Sequence, residues 1–200
     1  MFFAVIGDIK SNFCGLQQVL RALEDAGIHR VLHTGNVCET PANARECVAL
    51  LRRHTVLSVQ GKKDRDLVRR TKRPRNTSNR EPLAQTHQAL DSAAKEHLRS
   101  LPRKRRFSEE GLQITLCHGS VNCSRDLLTS DTPLERFRRE REQEPADIII
   151  YGGAARPFAF TIDHTLFACP GTMMDESGRL RYLLVNTENT VPTATSIAVP

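Results

Sequence analysis

Tryptophan is absent from the 200 residues, and tyrosine occurs only twice. A chain with so few flat side chains has little with which to stack unpaired bases, and no zinc-finger or RNP-type motif makes up for it. Six cysteines are present, yet no two form a CxxC pair, which removes the common zinc and dithiol signatures. No apolar run approaches the roughly 18 residues that a membrane span needs, so no membrane partner is expected. The opening MFFAVIGDIK has no basic leader and its apolar stretch stops at Gly7; it reads as a buried strand and not as an export signal. The thiols are therefore expected to be reduced and the chain cytoplasmic. GxSxG and Gly-rich P-loop motifs are missing too, which leaves no nucleophile elbow and no nucleotide cradle.

What is present is a globular composition, 39% hydrophobic and 26% charged, in a length that suits a single domain over 1–200. The net charge of +6 is unevenly spread. Arg65, Arg69, Arg70, Lys72, Arg73, Arg75 and Arg80 crowd one stretch, and Arg99, Arg103, Lys104, Arg105 and Arg106 another. Such clusters attract phosphate polyanions through counterion release; the alternative is a solvated basic surface.

The first half alternates strand and helix patterns. FFAVIG is a buried-strand run. Leu16, Val19, Leu20 and Leu23 fall at i, i+3, i+4 and i+7, which predicts an amphipathic helix over 13–26. RVLHTGN is a second strand, 41–53 a helix with Pro41 in its first turn, and HTVLSVQG a third strand. Residues 71–82 carry prolines and charge with almost nothing apolar and read as a polar basic loop. A helix over about 83–100 follows. Strands then dominate, interrupted by a helix at 132–143 for which Thr132 is the expected N-cap, with Pro133 at the first helical position and Glu135 completing a capping box. Alternating strands and helices imply parallel pairing. The expected fold class is α/β, a four-layer αββα sandwich of two mixed β-sheets flanked by helices. Functional loops then belong at the carboxyl ends of the parallel strands.

Those ends read GDIKSN (Gly7–Asn12), TGN (Thr34–Asn36), GKKD (Gly61–Asp64), CHGS (Cys117–Ser120), YGGAARPF (Tyr151–Phe158) and CPGT (Cys169–Thr172). In this order they resemble the signature of the calcineurin-like metallophosphoesterases, most closely the small bacterial and archaeal phosphodiesterase branch. That family reads GDxHxN, GD, GNxD, HG, GHTHRP and NPGS. The closing RYLLVNTENTVPTATSIAVP is similar to the family's final hairpin.

The resemblance implies two divalent ions that clamp a phosphate and activate a hydroxide between them. In that pattern Asp8 and position 10 serve the first ion and position 36 bridges both. Positions 62, 118 and 153 serve the second, and position 155 completes the first. This sequence keeps Asp8 and His118 but has Lys10 for His, Asn36 for Asp, Lys62 for Asn, Gly153 for His and Ala155 for His. A protonated lysine has no lone pair to give. Its charge opposes a divalent ion by about 4 kcal/mol per unit charge pair at 4 Å and an effective dielectric of 20. A vestigial metal site of Asp8, Asn36 and His118 is what remains.

Two lysines at former ligand positions, with Lys63 beside them, suggest a metal-free anion pocket of Lys10, Lys62, Lys63 and Arg156 for a phosphorylated ligand. The alternative is that Lys10 and Lys62 merely neutralise Asp8 and Asp64. His33, on the second strand, is read as a core histidine. The expectation is a binding or scaffold protein with no cofactor, partnered by a phosphorylated small molecule or a protein; the retromer's phosphoesterase-like subunit, which serves as an interaction surface, is the analogy. Two rivals stay open. One is a phosphodiesterase or phosphomonoesterase with a single weakly held Mn²⁺, for which Asp8 and His118 would be the catalytic residues. The other is a nucleic-acid or phosphate-polymer binder using the basic segments at 65–80 and 99–106.

Overall fold

The computed structural model describes residues 1–69, 80–188 and 190–199, without the side chain of Arg80. The expected loop at 71–82 lies mostly outside the described residues.

The apolar run at the start forms β1 (Phe2–Ile6), which alternates faces: Ala4 and Ile6 pack toward helices, Phe3 and Val5 toward the second sheet. That period of two is what a strand buried on both sides requires. Helix α1 (Phe13–Asp25) follows, opened by Asn12, whose side chain accepts the Gly15 N–H at 2.9 Å. β2 (Val31–His33), α2 (Ala44–Arg53) and the two-residue β3 (Leu57–Ser58) complete the parallel part of the first sheet. β9 (Arg181–Asn186) lies antiparallel on the other side of β1, and β10 (Thr193–Ala198) closes the edge. The sheet order is β10-β9-β1-β2-β3.

The second sheet has the order β4-β5-β6-β8-β7. Its strands are β4 (Lys104–Glu109), β5 (Leu112–Cys117), β6 (Ile148–Ile150), β7 (Phe158–Ile162) and β8 (Thr165–Cys169). One apolar layer, with Phe3, Val5, Leu32, Ile114, Ile148 and Ile150, lies between the sheets. A second fills the space between the first sheet and α1, α2 and α5 (Ser92–Ser100). A third packs Phe137 of α6 (Leu134–Gln143) against Tyr151, Phe158 and Phe167 on the outer face of the second sheet. Two mixed five-stranded sheets flanked by helices are thus the expected αββα sandwich.

Four local expectations are corrected. The helix over 83–100 is two helices, α4 (Arg80–Ala89) and α5, because Asp91 caps α5 by accepting the Ala94 N–H at 2.7 Å. α2 begins at Ala44 after Asn43 in the left-handed region (φ 59°), so Pro41 stands outside it. Thr132 does not cap α6: its hydroxyl accepts the Thr129 N–H at 2.9 Å, and Pro133 is the N-cap residue. The segment after Gly61 is no loop but α3 (Lys62–Val68). Among the described residues no helix is long and apolar enough to cross a membrane.

Candidate functional site

The carboxyl ends of β1, β2, β5, β6 and β8 and the start of α3 converge on one spot. Their backbones approach so closely that a Cβ on Gly7 would collide with the carbonyl of Gly171, which only glycine avoids. The loop after β1 is latched to the loop after β2. Ile9 and Lys10 both donate N–H to Asn36 O, at 3.2 and 3.1 Å. Ser11 Oγ donates to Thr40 O at 2.8 Å and accepts the Glu39 N–H at 3.0 Å. Lys10 and Ser11 hold positive φ (54° and 64°), a conformation costly for such residues.

Asp64, fully buried, anchors this frame. Its Oδ2 accepts the N–H groups of Asn36 (2.7 Å) and Gly61 (3.0 Å), and its Oδ1 those of Val37 (2.8 Å) and Cys38 (3.4 Å). Burial pushes its carboxyl up, and these donors oppose that. No lysine is needed to neutralise Asp64, and Lys62 pairs with Asp66 at 2.9 Å.

Asp8, 6% exposed, sits at the centre. Its Oδ2 accepts a hydrogen bond from Asn36 Nδ2 at 2.8 Å, while Oδ1 is buried with no partner among the described residues. Burial pushes the Asp8 carboxyl up; the Asn36 amide, His118, Lys10 and Lys63 pull the other way. Asn36 is spent on both sides, because its Oδ1 accepts the Lys63 N–H at 2.9 Å. His118 Nδ1 donates to Thr34 O at 2.8 Å, leaving Nε2 as the nitrogen with the lone pair. His33 is fully buried; among the described residues neither ring nitrogen has a hydrogen-bond partner, and burial pushes its pKa down to about 3.

The space around His118 Nε2 is bounded by a residue that the motifs did not point to. A Cβ on Gly153 would lie 3.2 Å from that nitrogen and 2.6 Å from Cδ2 of Leu127. Leu127, on the loop after β5, thus stands where a longer side chain at 153 would begin. Nothing in its local sequence marks it, since a half-exposed leucine in a loop has no pattern to betray it. At positions 153 and 155 no side-chain donor exists, and among the described residues no three His, Cys, Asp or Glu side chains cluster as a metal cage.

The four candidate anion-binding side chains are not brought together. Lys10 and Arg156 line one cleft of about 630 Å³ with Thr172, Asp175 and Arg181. Lys62 and Lys63 line another, of about 320 Å³, with Glu39, Asp66 and Leu67. Both of these lysines are ion-paired, Lys63 with Glu39 and Lys62 with Asp66. In the first cleft Arg181 is paired with Asp175 at 2.8 Å, whereas no carboxylate among the described residues pairs with Lys10 or Arg156.

A two-sheet sandwich whose strand ends carry Asp8, Asn36, Asp64 and His118 in these places defines a phosphoesterase-type fold. The chain belongs to the calcineurin-like phosphoesterase superfamily, whose domain matches residues 1–190. Among curated proteins it is similar to "Uncharacterized protein MJ0912" of Methanocaldococcus jannaschii, 41% identical over 61 residues; this match spans 30% of the chain and 25% of that protein. Three solved structures share the fold. The hypothetical protein PH1004 from Pyrococcus horikoshii OT3 is 20% identical with a TM-score of 0.82, over 99% of this chain and 87% of that one. A metallophosphoesterase from Sphaerobacter thermophilus is 20% identical with a TM-score of 0.76, over 100% and 89%. Vacuolar Protein Sorting 29 from Cryptosporidium parvum is 19% identical with a TM-score of 0.56, over 98% and 97%.

Proposed function

We propose that this chain has lost the dinuclear metal chemistry of its superfamily and works as a binding or scaffold protein. The observation that carries this reading is the chemistry at the strand ends. The family's divalent metals call for a bridging carboxylate and several imidazoles. Here position 36 presents an amide already engaged by Asp8 and Lys63, positions 10 and 62 present ammonium groups, and positions 153 and 155 present nothing. These residues do not fit a pair of divalent ions. The amide donated to Asp8 Oδ2 takes up part of the carboxylate that a metal would need. Leu127 lines the space beside Gly153 with a methyl group. The likeness in fold to a vacuolar sorting protein fits a scaffold role, in which the surface and not the old site meets a partner.

Lys10 and Arg156 are the two cations left facing a cleft beside the old site, and we assign to them a phosphate-bearing ligand. The Lys62 and Lys63 ammonium groups are committed to carboxylates and are left out of this assignment. A second reading has its own observation: among the described residues neither Asp8 Oδ1 nor His118 Nε2 makes a hydrogen bond, so one weak Mn²⁺ held by Asp8, Asn36 and His118 is the rival.

Metal stoichiometry separates the two. After incubation with Mn²⁺ and Zn²⁺ and removal of the excess, the expected result is no bound ion. It should be accompanied by no Mn²⁺-dependent hydrolysis of a phosphodiester or phosphomonoester. One ion per chain with hydrolysis that disappears in Asp8→Ala would establish the rival, and two ions would overturn the proposal outright.

A further inference from the structure

Two basic stretches far apart in sequence meet at one place. Arg65 and Arg69 come from α3 and its C-cap, Arg103 from the turn before β4, and Arg125 from the loop that follows His118. With Ser120 and Ser124 they line a cavity of about 290 Å³. Arg65 is only 6% exposed, although it lies in the outer shell of the fold. Its Nη1 donates to Ser124 Oγ at 3.0 Å, and its Nε is buried with no hydrogen-bond partner among the described residues. Arg69, Arg103 and Arg125 are exposed around it.

No carboxylate among the described residues pairs with any of the four. Asp66 is held by Lys62, and Glu144 by Lys104 and Arg106. Residues 70–79, RTKRPRNTSN, contain no Asp or Glu to supply one. A guanidinium does not escape its charge by losing a proton, and a covered, unpaired cation among like charges is unfavourable. An anion from outside the chain would supply the missing compensation.

We propose that Arg65, Arg69, Arg103 and Arg125 form a binding site for a compact oligophosphate, whether free or as the phosphate group of a phosphorylated molecule. Guanidinium forks match phosphate oxygens in geometry as well as charge, and the Ser124 hydroxyl that accepts from Arg65 keeps its own proton to donate. The volume is roughly that of ten waters, the scale of a di- or triphosphate. No aromatic side chain lines the cavity, so a base would find no stacking face there and recognition falls to the phosphates. The site shares no lining residue with the Lys10 and Arg156 cleft and does not depend on the loss of metal chemistry.

The test is calorimetric titration of the full chain with tripolyphosphate at physiological salt, beside orthophosphate and a single-stranded oligonucleotide. Saturable binding of tripolyphosphate is expected, weaker for orthophosphate and weakening as salt rises, with a component that does not depend on Lys10 or Arg156. Arg69→Ala and Arg125→Ala remove exposed side chains, so the fold is retained, and each should lower the affinity by about tenfold or more. The component that Arg69 and Arg125 control should survive in the Lys10→Ala, Arg156→Ala double variant, which keeps this result separate from the proposed ligand of the old site. Absence of saturable binding at millimolar tripolyphosphate would overturn the proposal. So would wild-type affinity in both arginine variants, or loss of binding in the Lys10 and Arg156 pair instead. Tighter binding of the oligonucleotide through the same arginines would replace it with a nucleic-acid groove.

Discussion

Asp8→Asn should make this protein more stable, against the usual expectation for a buried residue at the heart of a strand-end motif. Asp8 is 6% exposed; among the described residues its side chain accepts one hydrogen bond, from Asn36 Nδ2 at 2.8 Å, and its Oδ1 is buried without a partner. An asparagine keeps the useful contact, because its Oδ1 accepts from Asn36 as the carboxylate did, and it removes the buried charge. The asparagine's Nδ2 then stands unpaired where the bare oxygen was, so the gain is the excess cost of a charged over a neutral buried group, on the order of 1 kcal/mol. At about 2–4 °C per kcal/mol for a chain of this size, the melting temperature should rise by a few degrees. The pH dependence follows from the direction of the Asp8 shift. Burial raises its folded pKa above 3.8, so the folded state holds the proton more tightly than the unfolded state. Stability then falls as pH rises through the folded value, and the burden of the anion is fully present above it. The advantage of Asp8→Asn should therefore be largest at neutral and higher pH and vanish below about the unfolded pKa. The assay is thermal melting by circular dichroism across pH, in EDTA and again in Mn²⁺. A loss of stability in EDTA would refute the reasoning. A Mn²⁺-dependent rise in wild-type Tm that Asp8→Asn abolishes would refute it too, since Asp8 would then be compensated by an ion.

Other expectations are as direct. His33 stays neutral in the fold, with its pKa pushed from 6.5 down to about 3 by burial, so its contribution to stability is present above pH 6.5 and lost as pH falls toward 3. Relative to His33→Leu, the wild type should lose roughly 2 kcal/mol between pH 7 and pH 5, read from urea denaturation at each pH; a constant difference would show that His33 is not the titrating group. Asp64→Asn sets an amide N–H₂ against backbone N–H groups that need an acceptor, and should cost roughly 3 kcal/mol or more in the same measurement; a neutral result would show that the four donors find acceptors elsewhere. Gly153→His should destabilise by about 1–3 kcal/mol, because φ is +76° and the new Cβ meets Leu127. Adding Leu127→Ala should recover part of that, and a double-mutant cycle with no coupling would remove Leu127 from the wall of the site.

The parts of the fold that were legible in the sequence are those whose signal is periodic. FFAVIG and the Leu16, Val19, Leu20 and Leu23 stripe declared β1 and α1 because burial on one or both faces leaves a regular imprint. Where a single hydrogen bond decides, the reading failed. Asp91 offers a cap signal in the middle of 83–100, yet the inward spacing of Leu83, His87, Leu90, Ala94 and Leu98 continues across a helix break as readily as along one helix. Thr132 looked like a capping residue and instead turns back to Thr129. At the site, the motifs place Asp8, Asn36 and His118 at strand ends, and Asp64 stands in the first turn of α3. They cannot say that Lys62 points to Asp66, because a lysine four residues from an aspartate pairs with it only if the segment is helical, and GKKD at a strand end reads as a loop. Arg125 and Leu127 lay beyond reach: the loop that carries them is placed by the fold, and its sequence has no period to read.

The division between what this chain keeps and what it lacks follows the partner of each group. Asp64 holds four backbone N–H groups, Gly7 and Gly171 let two strand ends touch, and His118 Nδ1 is tied to Thr34 O. Each of these contacts is with the protein itself, so removing a metal would leave its contribution to folding intact. The positions that differ from the family's pattern, 10, 36, 62, 153 and 155, are those where the partner would be a cation. Without that cation a set of carboxylates and imidazoles facing one another would be a cluster of like charges and unsatisfied lone pairs. Asn36 relieves part of this by turning an anion into a donor for Asp8, and Lys10 adds positive charge within electrostatic reach of the same carboxylate. What is left unrelieved is the one bare oxygen of Asp8, which is why that residue, and not the better-anchored Asp64, is where a neutral substitution should strengthen the fold.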